Sequence, residues 1–281
     1  MQMLVTSAPR ANAEGFGSLC SFALDGTLSG LFRADSRVTD PCGPSVSADR
    51  QFLHVSTDSD RILALNAVGD VVRDTEEVPG VNAGGGNIGT NGKYPVGMRG
   101  ARTIAAFAAD LSGAPQNVLP AGIVPFPRGL ASVEGGTIYL ASGIGPGGEG
   151  ENSIAAFDAD GTHLASRFTT DDAVNSLDLA VAANEIILAS SEFPFRVPDA
   201  IASVREYDRS SGSVVRALAT PPSVRFHQPL GSRFGPDRLL YRAARDNVVV
   251  FDFGNDPFID AAVHTPWLNG QTVVFFPSPA D

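Results

Sequence analysis

The chain has 281 residues, 43% of them hydrophobic and 18% charged, with a formal charge of −11 and a single lysine, Lys93. That composition excludes a disordered chain, and the acidic balance argues against binding nucleic acid or anionic lipid through bulk electrostatics. Two cysteines, Cys20 and Cys42, cannot build a disulfide framework or a cysteine-rich zinc site.

No apolar run approaches the ~18 residues of a membrane helix, and no basic stretch followed by an apolar one opens the chain. The sequence therefore predicts a soluble protein without a signal peptide, cytoplasmic rather than exported, with no membrane partner.

Taken in chain order, MLVTSA (3–8) reads as a strand that begins in mid-sheet, and SLCSFALDG (18–26) as a strand running into an Asp-Gly turn. PSVSADRQFLHVST (44–57) reads as two strands about a turn at Asp49-Arg50, followed by RILALNAVG (61–69) and RTIAAFAAD (102–110). RGLASVEGGTIYLASG (128–143) repeats the two-strand unit about Gly135-Gly136, and NSIAAFDADG (152–161) and THLASRF (162–168) supply the next two strands. SLDLAVAANEIILASS (176–191), turning at Asn184, leads into ASVREYDRSSG (202–212) and SVVRALA (213–219). PLGSRFGPDRLLYRAA (229–244), turning at Gly235-Pro236-Asp237, leads into DNVVVFDFG (246–254), FIDAAV (258–263) and QTVVFF (271–276). These turn residues are types that tolerate or preset the required backbone angles. No dozen-residue stretch carries apolar positions at helical spacing.

Taking Phe22, Leu65, Phe107, Phe157, Tyr207 and Phe251 as equivalent, the steps are 43, 42, 50, 50 and 44 residues. Propeller blades of four strands recur at about 40–50 residues. The expectation is all-β: a six-bladed β-propeller of four-stranded antiparallel blades, one domain spanning 1–281, its ring closed by strands from both termini. Two separate β domains would need a linker, and the glycine-rich stretches at 83–92 and 143–150 fall inside blades instead.

The glycine-rich matches to a dinucleotide fingerprint, at 84–89, 143–148 and 145–150, run into strand-like KYPVG and NSIAAF, where that motif needs a helix. Gly92-Lys93-Tyr94 lacks the upstream glycine and the Ser or Thr of a phosphate loop. Asp158, Asp160 and Gly161 read as a hairpin turn, since His163 and Thr169 stand where a calcium loop needs Gly and Glu. No G-x-S-x-G elbow occurs.

The phrasing PRGLASVEGGTIYLASG followed by NSIAAFDADGTHLASRF resembles the six-bladed propellers that include NHL-repeat proteins and the senescence-marker-protein (gluconolactonase-like) group, with a weaker likeness to YVTN-type propellers. That resemblance implies lactonase chemistry and a divalent metal over the central channel, held by a Glu of an E-G-P motif and by Asn and Asp from other blades. No E-G-P occurs here, and the family's late Asp-Gly segment is also missing.

In a propeller, the loops entering each inner strand and those joining second to third strands open on one face, where function concentrates. Those loops carry Asp40, Cys42, Asn82, Arg128, Asn175, His227, Gln228, His264 and Trp267, with Glu149, Glu151, Glu192, Phe193, Phe195, Arg196 and Asp199 beside them. Aromatics and arginines recur together as Phe126-Pro127-Arg128, Phe193-Pro194-Phe195-Arg196 and Arg225-Phe226-His227. The pattern points to an aromatic-walled pocket for a small organic anion, formed by Phe126, Arg128, Asn175, Phe193, Arg196, Gln228 and Trp267. Arg128 is the leading donor, because a guanidinium grips a carboxylate bidentately.

The same face offers a metal set, Asp40, Asn175, Glu192 and His227, suited to calcium, magnesium or zinc. His227 is the candidate general acid or base. The functional expectation is a ligand-binding propeller with hydrolase (lactonase- or esterase-like) or lyase chemistry at the channel mouth. The alternative is a non-catalytic scaffold for a protein or ligand.

Overall fold

The structure is a computed structural model. It describes the whole chain except residues 10–16, 48, 58–59, 77, 79–82, 87–92, 134, 145–149, 171–175, 183–186, 192–202, 219–229, 253–259, 265–267 and 278–281.

Along the chain run β1 (Gln2–Ser7), β2 (Ser18–Phe22), β3 (Leu28–Ala34), β4 (Pro41–Val46), β5 (Leu53–Thr57), β6 (Arg61–Leu65), β7 (Val71–Asp74) and β8 (Ala83–Gly86). Next come β9 (Tyr94–Met98), β10 (Thr103–Phe107), β11 (Gln116–Asn117), β12 (Pro127–Ser132), β13 (Ile138–Ile144), β14 (Gly150–Phe157), β15 (His163–Thr170) and β16 (Ser176–Val181). The last are β17 (Ile187–Ser191), β18 (Ser203–Tyr207), β19 (Val214–Leu218), β20 (Ser232–Phe234), β21 (Leu240–Ala244), β22 (Asn247–Phe251), β23 (Asp260–His264) and β24 (Gly270–Phe276).

The described residues contain no helix, and none is long and apolar enough to cross a membrane. The strands form four-stranded sheets in the orders β24-β1-β2-β3, β4-β5-β6-β7, β8-β9-β10-β11, β12-β13-β14-β15, β16-β17-β18-β19 and β20-β21-β22-β23. This is a β-propeller. β24 pairs antiparallel with β1 from Gln2↔Phe276 to Thr6↔Thr272, so one sheet contains both the first and the last strand.

Why these sequences make this architecture is visible in the side-chain alternation. Both faces of each sheet are covered, so the central strands are continuous apolar runs whose successive residues enter different cores. In β1, Met3 and Val5 pack with Phe22, Val248 and Val250, whereas Leu4 packs with Leu53, Val55 and Leu63. In β14, Ile154 and Ala156 pack with Leu179 and Tyr207, whereas Ala155 and Phe157 pack with Ile104 and Leu130.

The periodic residues Phe22, Leu65, Phe107, Phe157, Tyr207 and Phe251 each close the third strand of a sheet and are buried. Each fills the core shared with the preceding sheet; for Phe22 that sheet is the one containing β21 and β22. Full burial of such a side chain contributes about 1.5–3 kcal/mol.

The turns after these residues are set by Asp and Gly. Asp158 Oδ1 accepts the N–H groups of Asp160 and Thr162 at 3.0 and 2.7 Å, which makes DADG a hairpin turn. Gly161 and Gly212 have φ of 82° and 72°. A Cβ at either would overlap a carbonyl of the preceding sheet's outer segment, Val118 O or Phe168 O, so glycine is required twice over. In the turn at 235–239 the positive φ falls on Arg238 (67°), one residue beyond the expected Gly-Pro-Asp.

Candidate functional site

Every inner strand ought to run straight into its hairpin, yet the beginnings of several do not. The β4–β5 register jumps between Cys42 and Ser45, β12–β13 between Pro127 and Leu130, and β16–β17 between Ser176 and Leu179. In β24 one extra residue, Gln271, lies between the partners of Thr6 and Ser7. Each is a bulge that turns side chains out of the ladder. The bulged residues Gly43, Arg128, Asp178 and Gln271 all line one cavity, together with Asp40, Cys42, Arg99, Leu230, Gly231 and Thr272.

The cavity has a volume of about 90 Å3. It has room for several waters or for the polar head of a ligand, and is smaller than a site that engulfs a drug-sized molecule.

Close approach of neighbouring inner strands shapes its wall. A Cβ on Gly129 would overlap Asp178 Oδ1 and lie 2.7 Å from the Asp178 Cα, and one on Gly231 would strike the Thr272 side chain. Asp178 is buried. Its Oδ2 accepts from Arg233 Nη1 at 2.7 Å and from the Ser232 N–H at 3.1 Å. Arg233 Nη2 also lies 3.5 Å from Pro44 O, so this guanidinium reaches from β20 past β24 to β4.

The fully buried Arg242 donates from Nη2 to Leu230 O at 2.8 Å and fixes another part of the wall. Tyr94 Oη donates to Gly43 O at 3.2 Å, beneath the bulge whose Gly43 has φ 52°.

Two arginines, Arg99 and Arg128, and two carboxylates, Asp40 and Asp178, line the cavity. Among the described residues lining the cavity, two guanidinium groups and two carboxylates face each other, and one of the carboxylates, Asp178, is already held by Arg233. The Arg128 guanidinium also packs over the Phe126 ring, 4.6 Å from its centroid.

Of the residues singled out in the sequence, Asp40, Cys42 and Arg128 meet in this cavity. Phe126 is half-buried and backs Arg128, and it is not among the lining residues. Asn175, Glu192, Phe193, Arg196, His227, Gln228 and Trp267 lie outside the described residues. Sequence reasoning missed Arg99, Asp178, Gln271 and Thr272. A signal for Asp178 was present, since it is the one charged residue in the apolar run SLDLAV.

Among the described residues no three His, Cys, Asp or Glu side chains group as metal ligands. Asp40, the described member of the metal set, shares its cavity with two guanidinium groups, and Asp178 is already held by Arg233. That lining suits an anion better than a divalent cation.

No protein-family model matches the chain. No curated protein sequence matches it either. Its fold is similar to that of a gluconolactonase from Xanthomonas campestris, with TM-score 0.68 and 18% identity, over 97% of this chain and 88% of that one. It is also similar to virginiamycin B lyase from Staphylococcus aureus, with TM-score 0.58 and 14% identity, over 83% and 73%. A Bacteroides caccae protein of unknown function aligns at TM-score 0.66 and 12% identity, over 97% of both chains. At these identities the likeness is one of fold.

Proposed function

We propose that the chain is a six-bladed propeller, closed by β1 and β24, that binds the anionic head of a small organic molecule in the cavity at the beginnings of the inner strands. The observation that carries this reading is that Arg99 and Arg128, from different sheets, line one cavity while Arg233 occupies its buried carboxylate. The roles follow from the chemistry: the arginines orient a carboxylate or a developing oxyanion, and Asp40 adds an acceptor oxygen to the lining. The gluconolactonase and lyase neighbours support a lactone or a related ester as the molecule acted on. Hydrolysis would add water to the ring carbonyl, break the ring C–O bond and release a hydroxy acid with one proton. His227 would be the acid or base of that step.

The test is turnover of δ-gluconolactone and γ-butyrolactone followed by proton release, with binding of the corresponding hydroxy acids measured by calorimetry. The expected result is measurable turnover, and binding weakened at least tenfold in Arg128→Ala, about 1.4 kcal/mol. Binding without turnover would establish the non-catalytic scaffold. Equal binding by wild type and Arg128→Ala would remove the anion reading.

The metal alternative, Asp40 with Asn175, Glu192 and His227, is separated by elemental analysis and a melting curve with chelator. We expect no stoichiometric divalent ion and an unchanged melt. A bound ion whose removal lowers the melting temperature would put those four residues in place of the arginine cavity.

A further inference from the structure

The opposite ends of three inner strands enclose a second cavity, of about 380 Å3, that the arginine site does not use. Its walls come from the end of β4 (Val46), the end of β20 and its turn (Phe234, Pro236), and the end of β24 (Phe275, Pro277). The volume falls within the ~300–1,000 Å3 of small-molecule sites, and those side chains are apolar or aromatic, as such sites require. Arg50 is the one charged side chain lining it, and Met1, which carries the N-terminal amino group, lines it as well.

Polar side chains of the two turns bond within their own turns. Ser47 Oγ donates to Asp49 Oδ1 at 2.5 Å and accepts from the Phe52 N–H at 2.9 Å. Asp49 also accepts from the Gln51 N–H, and Asp237 accepts from the Leu239 N–H and the Tyr241 hydroxyl. The exposed Arg50 side chain makes no ion pair with another described residue.

The backbone adds a second observation. Arg50 sits at φ 59° in its hairpin, and Arg238 at φ 67° in the hairpin that supplies Pro236. The corresponding hairpin between β12 and β13 uses Gly135 and Gly136, at φ 89° and 85°. Glycine is conformationally cheaper than arginine at such an angle.

We propose that this cavity binds a small apolar carboxylate, its hydrocarbon body against Val46, Phe234 and Phe275 and its carboxylate on Arg50. The site stands apart from the arginine cavity and does not depend on that reading.

The experiment is calorimetric titration of the full chain with 3-phenylpropionate and with its neutral amide. Wild type should bind the acid at least fivefold more tightly than the amide. In Arg50→Gly the acid should fall to the affinity of the amide, with the melting temperature unchanged or raised because glycine suits that φ. Phe234→Ala should weaken both ligands, and Arg128→Ala, at the other cavity, should weaken neither. The proposal is overturned if neither ligand binds at millimolar concentration, if acid and amide bind alike to wild type, if Arg50→Gly keeps the preference, or if Arg128→Ala abolishes binding.

Discussion

His54 is completely buried, stacks on Tyr94 with ring centroids 4.5 Å apart, and places Nε2 2.5 Å from Ala109 O. Burial depresses its pKa, outweighing the carbonyl contacts that favour the charged form. The folded protein therefore binds fewer protons here than the unfolded chain, whose histidine titrates near ~6.5. The stabilisation is complete above that pH and is lost as pH falls. Asp35 behaves alike at lower pH: hydrogen bonds from Arg37 and then Arg33 hold it well below the usual carboxylate range, so its contribution is lost only below about pH 4. Melting temperature should fall between pH 7 and pH 5, and His54→Gln should flatten that part of the curve; an unchanged slope would show that His54 does not govern it. Gly129 gives a second residue-level expectation. Gly129→Ala forces its Cβ onto Asp178, and should cost about 1–3 kcal/mol in denaturant unfolding as well as weaken binding at the arginine cavity.

At the scale of elements, the third strands were legible because nothing but apolar burial and a terminal aromatic or leucine was needed to mark them. SIAAF and NVVVF announce themselves by composition, and the Asp-Gly turn that follows is chemically specified. The inner strands were harder. Their bulges decide which side chain enters the cavity, and a bulge is a one-residue change of register that leaves composition untouched. Arg128 was found because it neighbours aromatics in the sequence, whereas Arg99 lies in an ordinary turn after β9 that nothing local distinguishes. At the end of β3, Arg33 and Arg37 grip Asp35 at 2.6 and 2.7 Å; Arg37 then crosses to the next sheet to reach Asp74 of β7 at 3.2 Å, which Arg61 of β6 also holds at 2.7 Å. Arg61 and Asp74 lie far along the chain from the Arg33–Arg37 segment, so their union with it was invisible before folding. Asp35→Ala would leave Arg33 and Arg37 without the carboxylate they share and should cost about 2 kcal/mol, read as a shifted denaturant midpoint with an unchanged slope.

For the whole molecule, stability is distributed over cores that each belong to two sheets, among them one joining the first sheet to the last. Phe157→Ala should lose about 3–5 kcal/mol in one cooperative transition, because loosening one sheet loosens its neighbours. Two separated thermal transitions would contradict that sharing. The repeat length disclosed this arrangement in the sequence, since a unit that buries both faces needs a neighbour on either side.

The pairing of β1 with β24 sets an order of events during synthesis. Gln2 Nε2 donates to Pro277 O across 275 positions of the chain. The nascent polypeptide emerging from a ribosome at about 5–20 residues per second must hold the Gln2–Ser7 edge unpaired for tens of seconds before its partner is translated. During that wait the apolar run MLV is open to any other strand, and chaperone capture of this segment, rather than of later ones, is where ribosome-bound intermediates should differ from the finished protein.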